Sequence, residues 1–138
     1  MTELTAEMIV DATRPRFLEL SPDGKYVAYA LVPLSKTGEH PTSSIWIATT
    51  DGSQPPRQFT RGEVLDSQPH WSPDSRQLAF LSDRATRGTN QLYLISVDGG
   101  EARPLTPATN KKSVESFAWS PGGGQIAFTS PDEPTEED

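Results

Sequence analysis

Three serines, Ser21, Ser72 and Ser120, each stand directly before a proline. His70 lies two residues before Ser72, and a serine paired with a base is the equipment of nucleophilic acyl transfer. An activated serine also needs a strained, exposed elbow of the Gly-x-Ser-x-Gly kind, and that motif occurs nowhere in the 138 residues. Serine before proline and aspartate is a turn former, because proline presets φ and the polar side chains bond back to nearby backbone. The three serines are therefore read as turn residues, and His70 as a histidine at a strand edge. His40 precedes Pro41 in a polar stretch and reads as solvated. Gly122-Gly123-Gly124 could suggest a phosphate cradle, but Gln125-Ile126 follows where such a loop requires Gly-Lys-Ser/Thr. There is no cysteine, no His-Glu-x-x-His and no calcium-loop spacing. Asp83-Arg84 reads as a local, exposed ion pair contributing about 0–1 kcal/mol. The sequence thus assigns no catalytic, cofactor-binding or metal-ligating residue, and no cofactor is expected.

The informative feature is that each serine belongs to a longer repeat. Leu20-Ser21-Pro22-Asp23-Gly24-Lys25-Tyr26-Val27-Ala28-Tyr29 returns as Trp71-Ser72-Pro73-Asp74-Ser75-Arg76-Gln77-Leu78-Ala79-Phe80. It returns again as Trp119-Ser120-Pro121-Gly122-Gly123-Gly124-Gln125-Ile126-Ala127-Phe128. A spacing of about fifty residues is that of stacked four-stranded units, above all propeller blades. Such a ring closes with at least about four blades, and this chain holds fewer than three periods. The fold expected is all-β: about two and a half four-stranded blades of an incomplete β-propeller, with a short N-terminal helix. The divisions are 1–15 for the helix and lead-in, 16–66 for the first blade and 67–113 for the second. Residues 114–130 form half of a third blade, and 131–138 an acidic tail.

Local signals fill in the elements. Residues 5–13 predict a helix of about two turns, capped by Thr5, with Leu4 and Ile9 placed as a hydrophobic staple. Pro15 ends it. Strands are expected at 17–20, 25–32, 44–49 and 57–60, with a hairpin signal at Asp51-Gly52. They recur at 69–71, 77–81, 91–97 and 102–106, with a loop over 82–90 and a hairpin at Asp98-Gly99-Gly100. The third repeat supplies 116–119 and 125–129. The strand at 25–32 is apolar on both faces, as a strand buried on both sides must be. Alanine recurs at Ala28, Ala79 and Ala127 with an aromatic after each. Side chains alternate faces along a strand, so the alanine face should meet one neighbouring blade while Tyr29, Phe80 and Phe128 fill the opposite gap. A half-finished third blade leaves an unpaired edge, and such edges recruit other chains, so self-association is expected.

Composition narrows the partners. The net charge is −7, and five of the acids fall in the last eight residues. The body is thus near neutral, which gives no basic surface for nucleic acid. No apolar run approaches the length of a membrane span. Met1 to Val10 lacks the basic start and apolar run of a secretory signal. A cytoplasmic location is the expectation.

The Ser-Pro-Asp-Gly/Ser turns, the run Phe80-Leu81-Ser82-Asp83-Arg84, and Gln91-Leu92-Tyr93-Leu94 followed by Asp98-Gly99-Gly100-Glu101-Ala102-Arg103-Pro104-Leu105-Thr106 carry a family likeness. With the opening Leu4-Thr5-Ala6-Glu7, they resemble the N-terminal propeller segment of an acylaminoacyl peptidase-like serine peptidase of the prolyl oligopeptidase family. The likeness spans nearly the whole chain. It implies a parent enzyme in which a propeller, typically of seven blades, admits small peptides to an α/β-hydrolase domain bearing a Ser, Asp and His triad. No position here matches a triad residue, so the chain itself is expected to be non-catalytic. Its implied partners are that hydrolase domain, the remaining blades and the parent's peptide substrates. The periplasmic propeller of the Tol system shares the repeats, which keeps a Tol-type protein-binding module as the alternative. A small stand-alone repeat protein that closes by self-association is a third reading.

Overall fold

The computed structural model describes residues 13–33 and 40–131. The helix expected over 5–13 lies outside these residues except for Thr13, and so does the tail from 132. Ten strands follow one another: β1 (Thr13–Leu20), β2 (Tyr26–Pro33), β3 (Ser44–Thr49), β4 (Arg57–Gln58), β5 (Asp66–Trp71), β6 (Gln77–Thr86), β7 (Thr89–Ser96), β8 (Gly99–Pro104), β9 (Ser116–Trp119) and β10 (Ile126–Thr129). They form two antiparallel four-stranded sheets, β1-β2-β3-β4 and β5-β6-β7-β8, and a two-stranded sheet, β9-β10. The first strands β1, β5 and β9 approach one another in turn, whereas β4 and β8 do not meet. The sheets therefore radiate from a hub of first strands. The fold is an all-β arc of a propeller, and among the described residues its third sheet has two strands.

The first two repeats turn from first to second strand by the same device, of which the third, with Gly122 in the aspartate's place, keeps the serine's bond to Gln125 N–H at 3.1 Å. The Ser21 hydroxyl donates to Asp23 Oδ1 at 2.6 Å and accepts the Tyr26 N–H at 3.0 Å. Asp23 Oδ1 also accepts the Lys25 N–H at 3.0 Å. Ser72, Asp74, Arg76 and Gln77 repeat this geometry at 2.6, 3.0 and 3.0 Å. The fourth turn position lies in the left-handed region at Gly24 (φ +75°), Ser75 (+63°) and Gly123 (+78°). Serine tolerates that region poorly, but the Ser75 hydroxyl accepts the Asp23 N–H at 3.1 Å and so ties the second turn to the first.

These turns make the molecule acid-sensitive. The Ser21 hydroxyl, then the Lys25 N–H, hold the Asp23 carboxyl below its ordinary value of 3.8. The Ser72 hydroxyl and Arg76 N–H do the same for Asp74. A carboxylate depressed in the folded state adds stability above its unfolded value and loses it as pH falls through the folded one. The melting temperature should therefore drop below pH 3.8, and the double variant Asp23→Asn, Asp74→Asn should flatten that drop. An unchanged pH slope in the double variant would contradict this assignment.

Packing between sheets follows the alternation of the strands. Ala28, Ala30, Ile45 and Ile47 of the first sheet meet Trp71, Leu78, Phe80, Tyr93 and Ile95 of the second in one buried cluster. The other face of the second sheet, Ala79, Leu81, Leu92 and Leu94, meets Val114 and Phe117, with Trp119 and Ile126 packed against them. The alanine face thus meets the following sheet, and Phe80 fills the gap to the preceding one, as the pattern predicts. Tyr29 is fully buried on the face opposite Ala28, where burial pushes its hydroxyl up to about 12. Phe128 departs from the expectation and is 46% exposed. Among the described residues the third sheet has no strands corresponding to β7 and β8.

Two further boundaries differ from the sequence reading. The segment 82–90 is not a loop. β6 runs on to Thr86 and β7 starts at Thr89, turning at Arg87-Gly88 with Gly88 at φ +90°. The second hairpin turns at Val97-Asp98, because Ser96 pairs with Gly99, and Gly99 and Gly100 enter β8 at φ +98° and +95°. The fourth strands close alike in both sheets. The Thr60 hydroxyl accepts the Ile45 N–H at 2.8 Å, and the Thr106 hydroxyl accepts the Leu92 N–H at 2.9 Å. This explains why these two threonines keep the repeat spacing.

Candidate functional site

The hub is where side chains of different sheets converge. β1 and β5 each carry a bulge at the same place in the repeat, with Phe17 at φ +58° and Gln68 at φ +52°. A bulge bends its strand and re-aims the side chains beyond it. Beyond the bulges, Glu19 Oε1 faces His70 Nδ1 at 3.2 Å, and the His70 ring meets Phe117 edge-on at 4.8 Å. Glu19 and His70 are each a little over a third exposed. Arg16 lies over the exposed Phe17 ring at 5.1 Å. The hub therefore presents a carboxylate, an imidazole, a guanidinium and the Phe17 ring to solvent.

Below this surface the hub is tied by a repeated bond. Trp71 Nε1 donates to the Glu19 carbonyl at 2.9 Å, and Trp119 Nε1 donates to the His70 carbonyl at 3.1 Å. Each tryptophan thus reaches back one sheet to the residue preceding its own counterpart there. Leu20 holds the corresponding place in the first repeat.

The Asp83-Arg84 pair is not local. Arg84 Nη2 lies 3.0 Å from both carboxylate oxygens of Asp66, which is buried. Its Nε donates to the Ser82 hydroxyl at 2.9 Å, and its guanidinium covers the Tyr93 and Phe80 rings at 4.9 and 5.4 Å. Asp83 instead accepts the Leu65 and Gly88 N–H groups at 2.9 and 3.0 Å. It faces Arg87 Nε at 3.2 Å, an approach of charges without an aligned hydrogen bond. Arg87 reaches the Pro41 and Glu63 carbonyls at 2.8 and 3.3 Å. Ser43 and Leu65 form a parallel bridge beside this network. The run Ser82-Asp83-Arg84 therefore clamps the first sheet's connections to the second sheet's long hairpin. Asp66 and Arg87 escaped the sequence reading, since Asp66 lies 18 residues from Arg84 along the chain.

The three repeat serines are engaged in their turns. The Ser21 and Ser72 hydroxyls are spent on their turns. The Ser120 hydroxyl accepts the Gln125 N–H at 3.1 Å. His70 faces Glu19 and Phe117, away from any of these serines. Among the described residues no group of three or more His, Cys, Asp or Glu side chains could hold a metal ion. No described helix is long and apolar enough to cross a membrane.

Comparison with known proteins agrees with this architecture. The chain is 42% identical over 123 residues to the uncharacterised peptidase YuxL of Bacillus subtilis, covering 88% of this chain and 17% of that protein. A candidate TolB from Agrobacterium tumefaciens superposes with a TM-score of 0.70 at 27% identity, over 86% of this chain and 39% of that one. The acylaminoacyl peptidase of Pyrococcus horikoshii shares the fold with a TM-score of 0.61 at 19% identity, over 91% of this chain and 18% of that one. The chain thus spans less than a fifth of the length of each of these two peptidases. The model of the PD40 family, the TolB beta propeller domain, matches residues 4–136. With its radiating sheets and repeated Ser-Pro turns, this chain belongs to the TolB beta propeller domain family.

Proposed function

We propose that this chain is a non-catalytic propeller segment of a cytoplasmic serine peptidase of the acylaminoacyl peptidase type. Its hub wall would form part of the passage by which small peptides reach an α/β-hydrolase domain carried elsewhere in the parent protein. One observation carries the reading. Identity to the YuxL peptidase is 42% over 88% of the chain, whereas identity to the Tol-Pal system protein TolB of Bordetella pertussis is 40% over only 44% of it. The mixed surface of Arg16, Phe17, Glu19 and His70 suits passing contact with extended peptides, since it offers charge of both signs beside an aromatic face. A Tol-type protein-binding module is the second reading, favoured by the TM-score of 0.70 to the TolB candidate.

Two measurements test the proposal. The purified chain should turn over neither acyl-amino acid nor dipeptide anilides, and turnover that copurifies with the chain and is lost in Ser72→Ala would contradict the non-catalytic assignment. Sequencing the gene on both sides of the 138 codons should find further repeats and then Gly-x-Ser-x-Gly downstream. A secretory signal upstream, with no hydrolase motif downstream, would establish the Tol-type reading instead.

A further inference from the structure

The two complete sheets leave a cleft between their outer ends. β4 and β8 diverge without meeting, and the space between the segment 59–64 and β8 amounts to about 410 Å³. Small-molecule sites span about 300–1,000 Å³. Both walls belong to four-stranded sheets, so the cleft depends neither on the third sheet nor on the ends of the chain. Gly100 lines the β8 wall at φ +95°, and nothing beyond its chain neighbours lies within 4 Å of the position a Cβ would take. The wall there is bare backbone.

At the deep end of the cleft stand Asp66 and Arg84. The Arg84 guanidinium is pinned. Its Nη2 meets both oxygens of Asp66 at 3.0 Å, its Nε donates to the Ser82 hydroxyl at 2.9 Å, and it covers the Tyr93 ring at 4.9 Å. Its Nη1 makes no hydrogen bond to a described residue. A charged donor held in one position, with one nitrogen to spare, is a receptor for a carboxylate.

The remaining lining tells what else the ligand must carry. Asp66 already matches Arg84 in charge. Arg61, Glu63 and Glu101 stand exposed around the cleft. One base against two acids repels a bare anion and favours a carboxylate that brings a cationic group with it. Between these charges lie Ile95, which is buried, and Phe59 and Ala102, which are partly so. We infer that this cleft binds a free amino acid with an apolar side chain. Its carboxylate takes Arg84 Nη1, its ammonium sits beside Glu63 and Glu101, and its side chain packs on Phe59, Ile95 and Ala102. Phosphate fits less well, since its several oxygens call for several donors and the acids flank its approach. The inference rests on the geometry between two sheets, so it stands or falls apart from the peptidase reading.

The test titrates the 138-residue chain with L-leucine and follows backbone amide shifts by nuclear magnetic resonance. The shifts should saturate and cluster at 59–64 and 99–102. Leucinamide, which lacks the carboxylate, and N-acetylleucine, which lacks the ammonium, should each bind about tenfold more weakly, the effect of losing one charged hydrogen bond. The variant Arg84→Met should abolish leucine binding. Should that variant fail to fold, the comparison of leucine with leucinamide on the unaltered chain decides the matter. The exposed double variant Glu63→Gln, Glu101→Gln should weaken leucine and leave N-acetylleucine no weaker. Leucinamide binding as tightly as leucine, inorganic phosphate producing the same shifts at equal concentration, or no saturable shift at 59–64 and 99–102 would each overturn the proposal.

Discussion

Trp71→Ala should cost about 3–5 kcal/mol, the usual range for deleting a large buried aromatic. Trp71 is only 5% exposed and belongs to the cluster shared by the first two sheets. Its ring stacks on Tyr26 at 6.0 Å. Its indole N–H bonds the Glu19 carbonyl at 2.9 Å, so the substitution also removes a bond that crosses from sheet to sheet. Domains of this size are stable by about 5–15 kcal/mol, and the loss is a large part of that. Trp71→Phe separates the two effects. It keeps most of the apolar area and forfeits the bond to Glu19, at about 1–3 kcal/mol for the carbonyl left without its partner. Urea unfolding followed by near-ultraviolet circular dichroism measures both. A loss below about 1 kcal/mol for Trp71→Ala, the size of a routine surface-like change, would mean that the two sheets do not share this cluster.

The second large effect is at Arg84. Removing one partner of a buried ion pair costs about 3–5 kcal/mol, because the remaining charge is buried alone. Arg84 keeps 31% of its side chain in water while Asp66 keeps 1%, so solvent screening lowers the expected loss for Arg84→Met to about 2–4 kcal/mol. Methionine retains much of the cover over Phe80 and Tyr93, and the loss therefore reports the stranded carboxylate. The double variant Asp66→Asn, Arg84→Met should be more stable than Arg84→Met alone, since it removes that charge. If the double variant is the less stable of the two, Asp66 is not held by Arg84 in solution.

These two sites differ in how far the sequence revealed them. Trp71 stands at the head of a repeated motif, and its burial follows from the strand and turn that the motif encodes. The turns were legible because serine, proline, aspartate and glycine each act within a few residues of themselves. The buried central strand β2 was legible because it is apolar on both faces. The hairpin over 82–90 was not, since Ser82-Asp83-Arg84-Ala85-Thr86-Arg87-Gly88-Thr89-Asn90 has no apolar alternation to mark a strand. Its order comes from Asp66, Leu65, Glu63 and Pro41, bonded across the first sheet's connections. First strands also begin earlier than hydrophobicity suggests, because β1 and β5 open with polar residues. At the hub, His70 is the strand-edge histidine its context indicated, but its partner Glu19 is 51 residues away and only the fold brings them together.

The arc itself is tested most directly by residue-resolved amide exchange on the isolated chain in dilute solution. Exchange should be slow through β2, β3, β6 and β7, and fast at Ile126 and Phe128, whose N–H groups point away from β9. Protection at Ile126 and Phe128 equal to that at Phe80 and Tyr93, in a sample shown to be monomeric, would mean that the third sheet is finished within one molecule and would contradict the account.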